Sequence, residues 1–218
     1  MNFLTVLAFN ISIVLVLGLL ARFVKLGRAE PTQGGWNFNY STSDIIILAV
    51  IAALAGVINT AMAHIWFAAN SLNPLFGAFF QGWFMWAYIL AFVLVRKPGA
   101  MLIVGLIESS MEIFLGNEAG FGTIGWGLTQ GLAAEFVMLC ANYKEVGWWV
   151  LGLVGAAASQ FGTFWSYQLF GWKEAAPLFY WLSAPVELVT GFVFSGLLGW
   201  WLGKTVERTG LLRTTRKE

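Results

Sequence analysis

The chain has 218 residues, of which 59% are hydrophobic, 17% aromatic and only 11% charged, less than half the charged share usual in soluble domains. That composition belongs to an integral membrane protein, and twelve basic against eleven acidic residues exclude a polybasic nucleic-acid binder. A single cysteine, Cys140, excludes a disulfide framework or a thiolate metal cluster within one chain; in its apolar run it reads as a small buried hydrophobe.

Stretches of about 20 apolar residues, the length that crosses ~30 Å of hydrocarbon, recur seven times. They fall near residues 3–21, 44–66, 74–95, 100–116, 122–142, 147–170 and 178–203, with the third and sixth open to being broken or tilted. The predicted fold class is an all-α integral membrane protein, a bundle of about seven transmembrane helices. The first stretch has no basic residue before its core and no small-residue cleavage pattern before Arg22, so it reads as a retained anchor and not a secretory signal.

Orientation follows from the loops. Arg22, Lys25 and Arg28 follow the first span, Arg96 and Lys97 the third, Lys144 the fifth, and Lys204, Arg208, Arg213, Arg216 and Lys217 form the tail; only Lys173 of the twelve basic residues falls on the other side. The positive-inside rule makes those loops cytoplasmic, with the N-terminus outside and the C-terminus inside. The acceptor pattern at Asn39 then lies on the cytoplasmic side and stays unmodified.

Two Gly-rich patterns carry no nucleotide chemistry. GFGTIG, 120–125, has the spacing of a dinucleotide fingerprint but follows an apolar span instead of a strand. GWWLGKT, 199–205, lacks the first glycine of a phosphate loop, since Leu198 stands there, and its amides are expected to be spent inside a helix. Small residues four apart are more informative: Gly191, Ser195, Gly199 and Gly203; Gly127 and Gly131; Ala49 and Ala53 beside Ala52 and Gly56. Such stripes let helix backbones approach closely, within the bundle or, where one faces lipid, against another protein.

The segment LIESSMEIFLGN sets Glu108 and Glu112 on one helical face. Glu135 lies about three turns into the fifth span and Glu187 near the middle of the seventh. Each intramembrane carboxylate costs roughly 2.5–3.5 kcal/mol, and no Lys or Arg sits deep in any span to neutralise them. Either they are protonated or something positive arrives from outside the chain. Asn117 caps the outer end of the same helix, Trp126 and Gln130 start the next span at a similar depth, and Gln81, Gln160 and Trp165 add amides and an indole from other spans. An outward-facing pocket of acids, amides and indoles suits a small flat cation or aminopyrimidine. Glu112 and Glu135 are expected to touch the ligand, with Gln130 and Asn117 beside them and Trp126 or Trp165 stacking; Glu108, Gln81, Gln160 and Glu187 complete the candidate set. With one histidine, His64, and no His–acid cluster, neither a catalytic residue nor a metal or cofactor is expected, and the chain does not read as an enzyme.

The run RKPGAMLIVGLIESSMEIFLGN, continuing through GLTQGLAAEFVMLCANYK, resembles the YkoE-type substrate-binding S components of energy-coupling-factor (ECF) vitamin transporters, associated with thiamine and hydroxymethylpyrimidine. The close similarity covers about fifty residues, Arg96 to Lys144, with similar span patterning from Asp44 to Thr205. The matching positions are Arg96, Lys97, Pro98, Gly99, Glu112, Gly116, Asn117, Gln130, Gly131 and Glu135. The resemblance implies a six-helix core over 44–205 that captures a vitamin from outside. It would work with a transmembrane T component and two cytoplasmic ATPases in the plasma membrane of a prokaryote, docking through Ala49 and Ala53. Residues 1–43 would be an additional N-terminal helix with a basic loop, and 206–218 a basic cytoplasmic tail. Glu108 is outside the family motif, which leaves the ligand's charge open. The alternative is an ion-coupled secondary carrier for a small cationic or heterocyclic solute, although no internal repeat of the kind common in such carriers is visible.

Overall fold

A computed structural model describes residues 2–26, 36–144, 147–171 and 177–210. Arg28, Lys173, Arg213, Arg216 and Lys217 lie outside these described residues. Among the described residues there is no strand. Helix α1, Phe3–Phe23, begins at Asn2, whose side chain accepts from the Leu4 N–H at 3.0 Å. A capping box between Ser41 and Asp44 opens α2, Thr42–Leu72.

The third pass is broken into α3, Pro74–Gln81, and α4, Trp86–Val95, with a turn over residues 82–85. Next come α5, Ala100–Phe114, and, after a 3-10 turn at Gly120–Gly122, α6, Thr123–Cys140. The sixth pass, α7, Trp148–Leu169, runs unbroken. The seventh runs from α8, Pro177–Thr190, through a π segment, Gly191–Leu197, into α9, Leu198–Thr209. Four of these passes, Phe3–Phe23, Thr42–Leu72, Pro74–Val95 and Leu178–Thr209, have both the length and the apolar composition to cross a membrane. Helices α5 to α7 carry buried polar side chains: Glu108, Glu112, Glu135, Ser159, Gln160 and Thr163 are all buried.

Helix α5 sits between α2 and α6, and α6 in turn lies against α7 and α1. Glycine makes these crossings close. A Cβ at Gly127 would stand 2.3 Å from the Gly105 carbonyl oxygen, and one at Gly155 2.4 Å from the Gly191 carbonyl oxygen, so backbone meets backbone across α5–α6 and α7–π. The stripe down the last pass is likewise internal: Ser195 donates to the Gly82 carbonyl, Gly199 faces Ile89 and Gly203 faces Val93. On α2, Ala52 and Gly56 are buried, whereas Ala49 is exposed and Ala53 half-buried on the outer face.

The two ends of the bundle differ. At one end Arg22 donates to the Cys140 carbonyl at 3.2 Å, Lys97 pairs with Asp44 at 2.5 Å and Arg96 with Glu207 at 2.7 Å; Lys25 and Lys144 border the same surface hollow as Arg22. At the other end His64 meets Glu118 at 3.1 Å, both exposed. The loop residues counted as cytoplasmic, as far as they are described, thus share one end.

Candidate functional site

A narrow pocket lies between α2, the broken third pass, α5 and α6. Its acids come from α5: Glu108 and Glu112 are both buried and both line it, one turn apart. Each carboxylate is met by one amide. Asn59 of α2 donates to Glu108 Oε1, and Asn117 Nδ2 donates to Glu112 Oε2 at 2.6 Å. Glu108 Oε2 has no hydrogen-bond partner among the described residues, an expensive state for a buried polar atom.

Local sequence explains the Asn117 contact. Gly116 adopts φ +87°, a left-handed conformation that ends helices and suits glycine. The chain therefore folds back so that the Asn117 N–H reaches the Glu112 carbonyl at 2.9 Å, and its side chain falls over the acid one turn below. Asn117 Oδ1 accepts from the Ala119 N–H at 2.9 Å, which fixes the amide's orientation.

Aromatic rings wall the opposite side. Trp66 and Trp126 meet edge-to-face with centroids 5.7 Å apart, and Phe67 packs on Trp66 at 5.0 Å. The Trp126 N–H is committed away from the pocket, donating to the Gly162 carbonyl at 3.1 Å and Ser166 Oγ at 2.8 Å, so Trp126 offers the pocket a ring held at a fixed angle. Deeper in, the Tyr88 hydroxyl donates to Gln130 Oε1 at 3.1 Å, and Gln81 completes the polar wall.

Six of the ten sequence-derived ligand candidates therefore come together: Glu108, Glu112, Asn117, Trp126, Gln130 and Gln81. The other four lie outside this pocket. Glu135 accepts from the backbone N–H groups of Gly99 and Met101, each at 2.9 Å, and from the Tyr143 hydroxyl at 2.6 Å. It thus binds the N-terminus of α5, where orphan N–H groups and the helix dipole favour an anion, about 16 Å along the helix from Glu112. Burial first, and then the Glu135 carboxylate, push the Tyr143 phenol above its ordinary pKa range, so it stays protonated and keeps donating. Trp165 donates to the Gly122 carbonyl at 2.8 Å and lies against Gly125. Gln160 donates to Asn10 of α1 at 3.0 Å, and Glu187 is buried beside Thr163 and Ser183.

The arrangement of passes and the placement of the acid pair can be set beside known proteins. A family model described as the permease component of an ABC-type cobalt transport system matches residues 43–161, more than half of the chain. The chain belongs to this permease family. A solved structure of an S-component of an ECF transporter superposes with a TM-score of 0.77 at 26% identity, covering 81% of this chain and 90% of that one. YkoE of Bacillus subtilis (strain 168), named provisionally as an HMP/thiamine permease protein, is 28% identical over 180 residues, 80% of this chain and 88% of its own length. The resemblance read from RKPG to ANYK and the all-α membrane fold are thus borne out, and the family and fold are those of transport proteins, not of enzymes.

Within this permease family member the matched segment starts at α2, and α1 precedes it. The RKPG turn and Glu135 form one clasp: Gly99 has φ +90° and supplies an N–H to the acid. Sequence reading missed Asn59 and Trp66. An Asn in the middle of a long apolar span was the available signal for the first. Trp66, two residues after His64 at the span's end, reads as an interfacial belt residue and carried none.

Proposed function

We propose that this protein is the substrate-capturing S component of an ECF-type importer, and that its ligand is a small flat nitrogen heterocycle of the thiamine or hydroxymethylpyrimidine kind. The observation that carries the reading is the buried Glu108–Glu112 pair facing the Trp66–Trp126 wall with no Lys or Arg among the described residues that line the pocket. Carboxylates and amides accept and donate to ring nitrogens and amino groups, while indoles stack on an aromatic ring and attract positive charge. The similarity to YkoE supports the same class of ligand, and that to an S-component structure supports the capture role.

In this reading the basic end faces the cytoplasm of a prokaryote and the pocket opens outward, with the N-terminus outside and the C-terminus inside. A T component docks on the outer face of α2 at Ala49 and Ala53, and two ATPases supply the energy. The chain's own role is capture and handover. A broken span is also found in secondary carriers, but the family and the fold favour the importer; uptake by proteoliposomes holding this chain alone would reverse that preference.

The test is quenching of intrinsic tryptophan fluorescence in detergent-purified protein titrated with thiamine, hydroxymethylpyrimidine and dimethylbenzimidazole. Saturable quenching by thiamine or its pyrimidine is expected, weakened tenfold or more in Glu112→Gln, because losing one partner of a buried charged contact commonly costs ~2–5 kcal/mol. Wild-type affinity in Glu112→Gln would remove that residue from the ligand contacts.

A further inference from the structure

Asn59 does not line the pocket, yet each of its polar side-chain atoms is committed. Its Nδ2 donates to Glu108 Oε1 and, at 2.8 Å, to the Phe84 carbonyl; its Oδ1 accepts from Trp86 Nε1 at 3.4 Å. Asn59 is fully buried on α2, so the three contacts fix its amide with no competition from bulk solvent.

The Phe84 carbonyl is free for this bond because the third pass is broken there. In a continuous helix the N–H of residue 88 would take it. Here the Tyr88 N–H turns to the Met85 carbonyl at 3.2 Å, and the acceptor at Phe84 is left to a side chain. Both N–H bonds of one amide therefore join the break in the third pass to the carboxyl of Glu108. With Oε1 held from behind, Oε2 is the oxygen of Glu108 that has no hydrogen-bond partner among the described residues.

We infer that Asn59 is a positioning residue: through the carbonyl exposed by the helix break it holds Glu108 at the pocket wall with one oxygen left for the ligand, and so sets the affinity for a nitrogen heterocycle. The inference rests on the pocket reading above. It also gives Glu108, which lies outside the family motif, a defined task beside Glu112. Glu112 is gripped by Asn117 at the mouth, Glu108 by Asn59 at the back, and a ligand donor is received between two carboxyls held from opposite sides.

The test is a double-mutant cycle on ligand affinity, read by tryptophan quenching with thiamine and hydroxymethylpyrimidine. Asn59→Leu, similar in size but without donors, is expected to weaken binding about tenfold, and Glu108→Gln by a similar factor. The double variant should be no weaker than the poorer single variant within about twofold, because Asn59 acts through the acid. Restoring an amide with Asn59→Gln should recover part of the loss, which a purely structural role would not predict for a longer side chain. Effects that multiply, or Asn59→Leu binding like wild type, overturn the inference. If Asn59→Leu does not fold, Trp86→Phe removes the contact to Oδ1 together with part of the indole's packing: a loss of affinity that disappears in the Glu108→Gln background supports the inference, and an equal loss in both backgrounds overturns it. Wild-type protein that responds to none of the compounds would instead sink the ligand reading, and the inference with it; additive variants of a binding-competent protein sink the inference alone.

Discussion

Replacing Glu135 with alanine separates a clasp from a ligand contact. The carboxylate accepts two backbone N–H bonds of 2.9 Å at the start of α5 and a 2.6 Å bond from Tyr143. Truncation leaves those donors without an acceptor in a mostly buried site. At about 1–3 kcal/mol for each stranded donor, and less than a full sum because the three share one carboxylate, the loss is about 3–5 kcal/mol. For a chain of this size that corresponds to a melting midpoint lower by about 10 °C. Glu135→Gln, which retains one acceptor oxygen, should lose about half as much. Ligand affinity of the folded fraction should stay within twofold of wild type, since the site lies about 16 Å down α5 from Glu112. Both quantities are accessible on one detergent preparation, from a thermal melt and a tryptophan-quenching titration. A Glu135→Ala protein that melts like wild type but no longer binds would refute the reasoning and return Glu135 to the ligand contacts.

Two further outcomes follow from the packing and the charge distribution. A Cβ at Gly125 would lie 2.0 Å from the Trp165 ring, so Gly125→Ala should lower the melting midpoint through a clash of about 1–3 kcal/mol, and adding Trp165→Leu should recover part of it; no change in the single variant would show the ring free to move. In a Cys140→Ala background, a membrane-impermeant maleimide should label Ser71→Cys in intact cells and Lys144→Cys only after the cells are opened, and the reverse pattern would invert the proposed orientation.

The passes were legible because length and apolar content are properties of the chain alone. The break at residues 82–85 was within reach as an open possibility for the third pass, but the sixth pass, given the same latitude, runs whole, and the π segment of the seventh had no sequence signal distinct from its glycines. The acid pair was legible from spacing: Glu108 and Glu112 four residues apart on a helix must share a face. What spacing does not reveal is which helix end meets which side chain. Glu135 in a span looks like a ligand group until the N-terminus of α5 is seen to receive it. Gln160 and Glu187 look like pocket residues until α1 and α7 close over them. Asn59 and Trp66 sit in a span whose overall apolar character hides them; the packing of α2 against α4 and α5 gives Asn59 its task, and the contact with Trp126 of α6 gives Trp66 its own.

The irregular segments of the third and seventh passes are coupled to each other. Ser195, inside the π segment, donates to the carbonyl of Gly82, at the break, and a Cβ at Gly82 would stand 2.2 Å from the Thr190 backbone. Two stretches where the ordinary ladder of helix hydrogen bonds is interrupted therefore lie at one depth, the π segment supplying a donor to a carbonyl at the break. They make a single crease across the bundle: straightening the third pass at Gly82 would break the Ser195 bond and disturb the close approach to Thr190, so the wall of the pocket formed by the third pass is braced by the seventh.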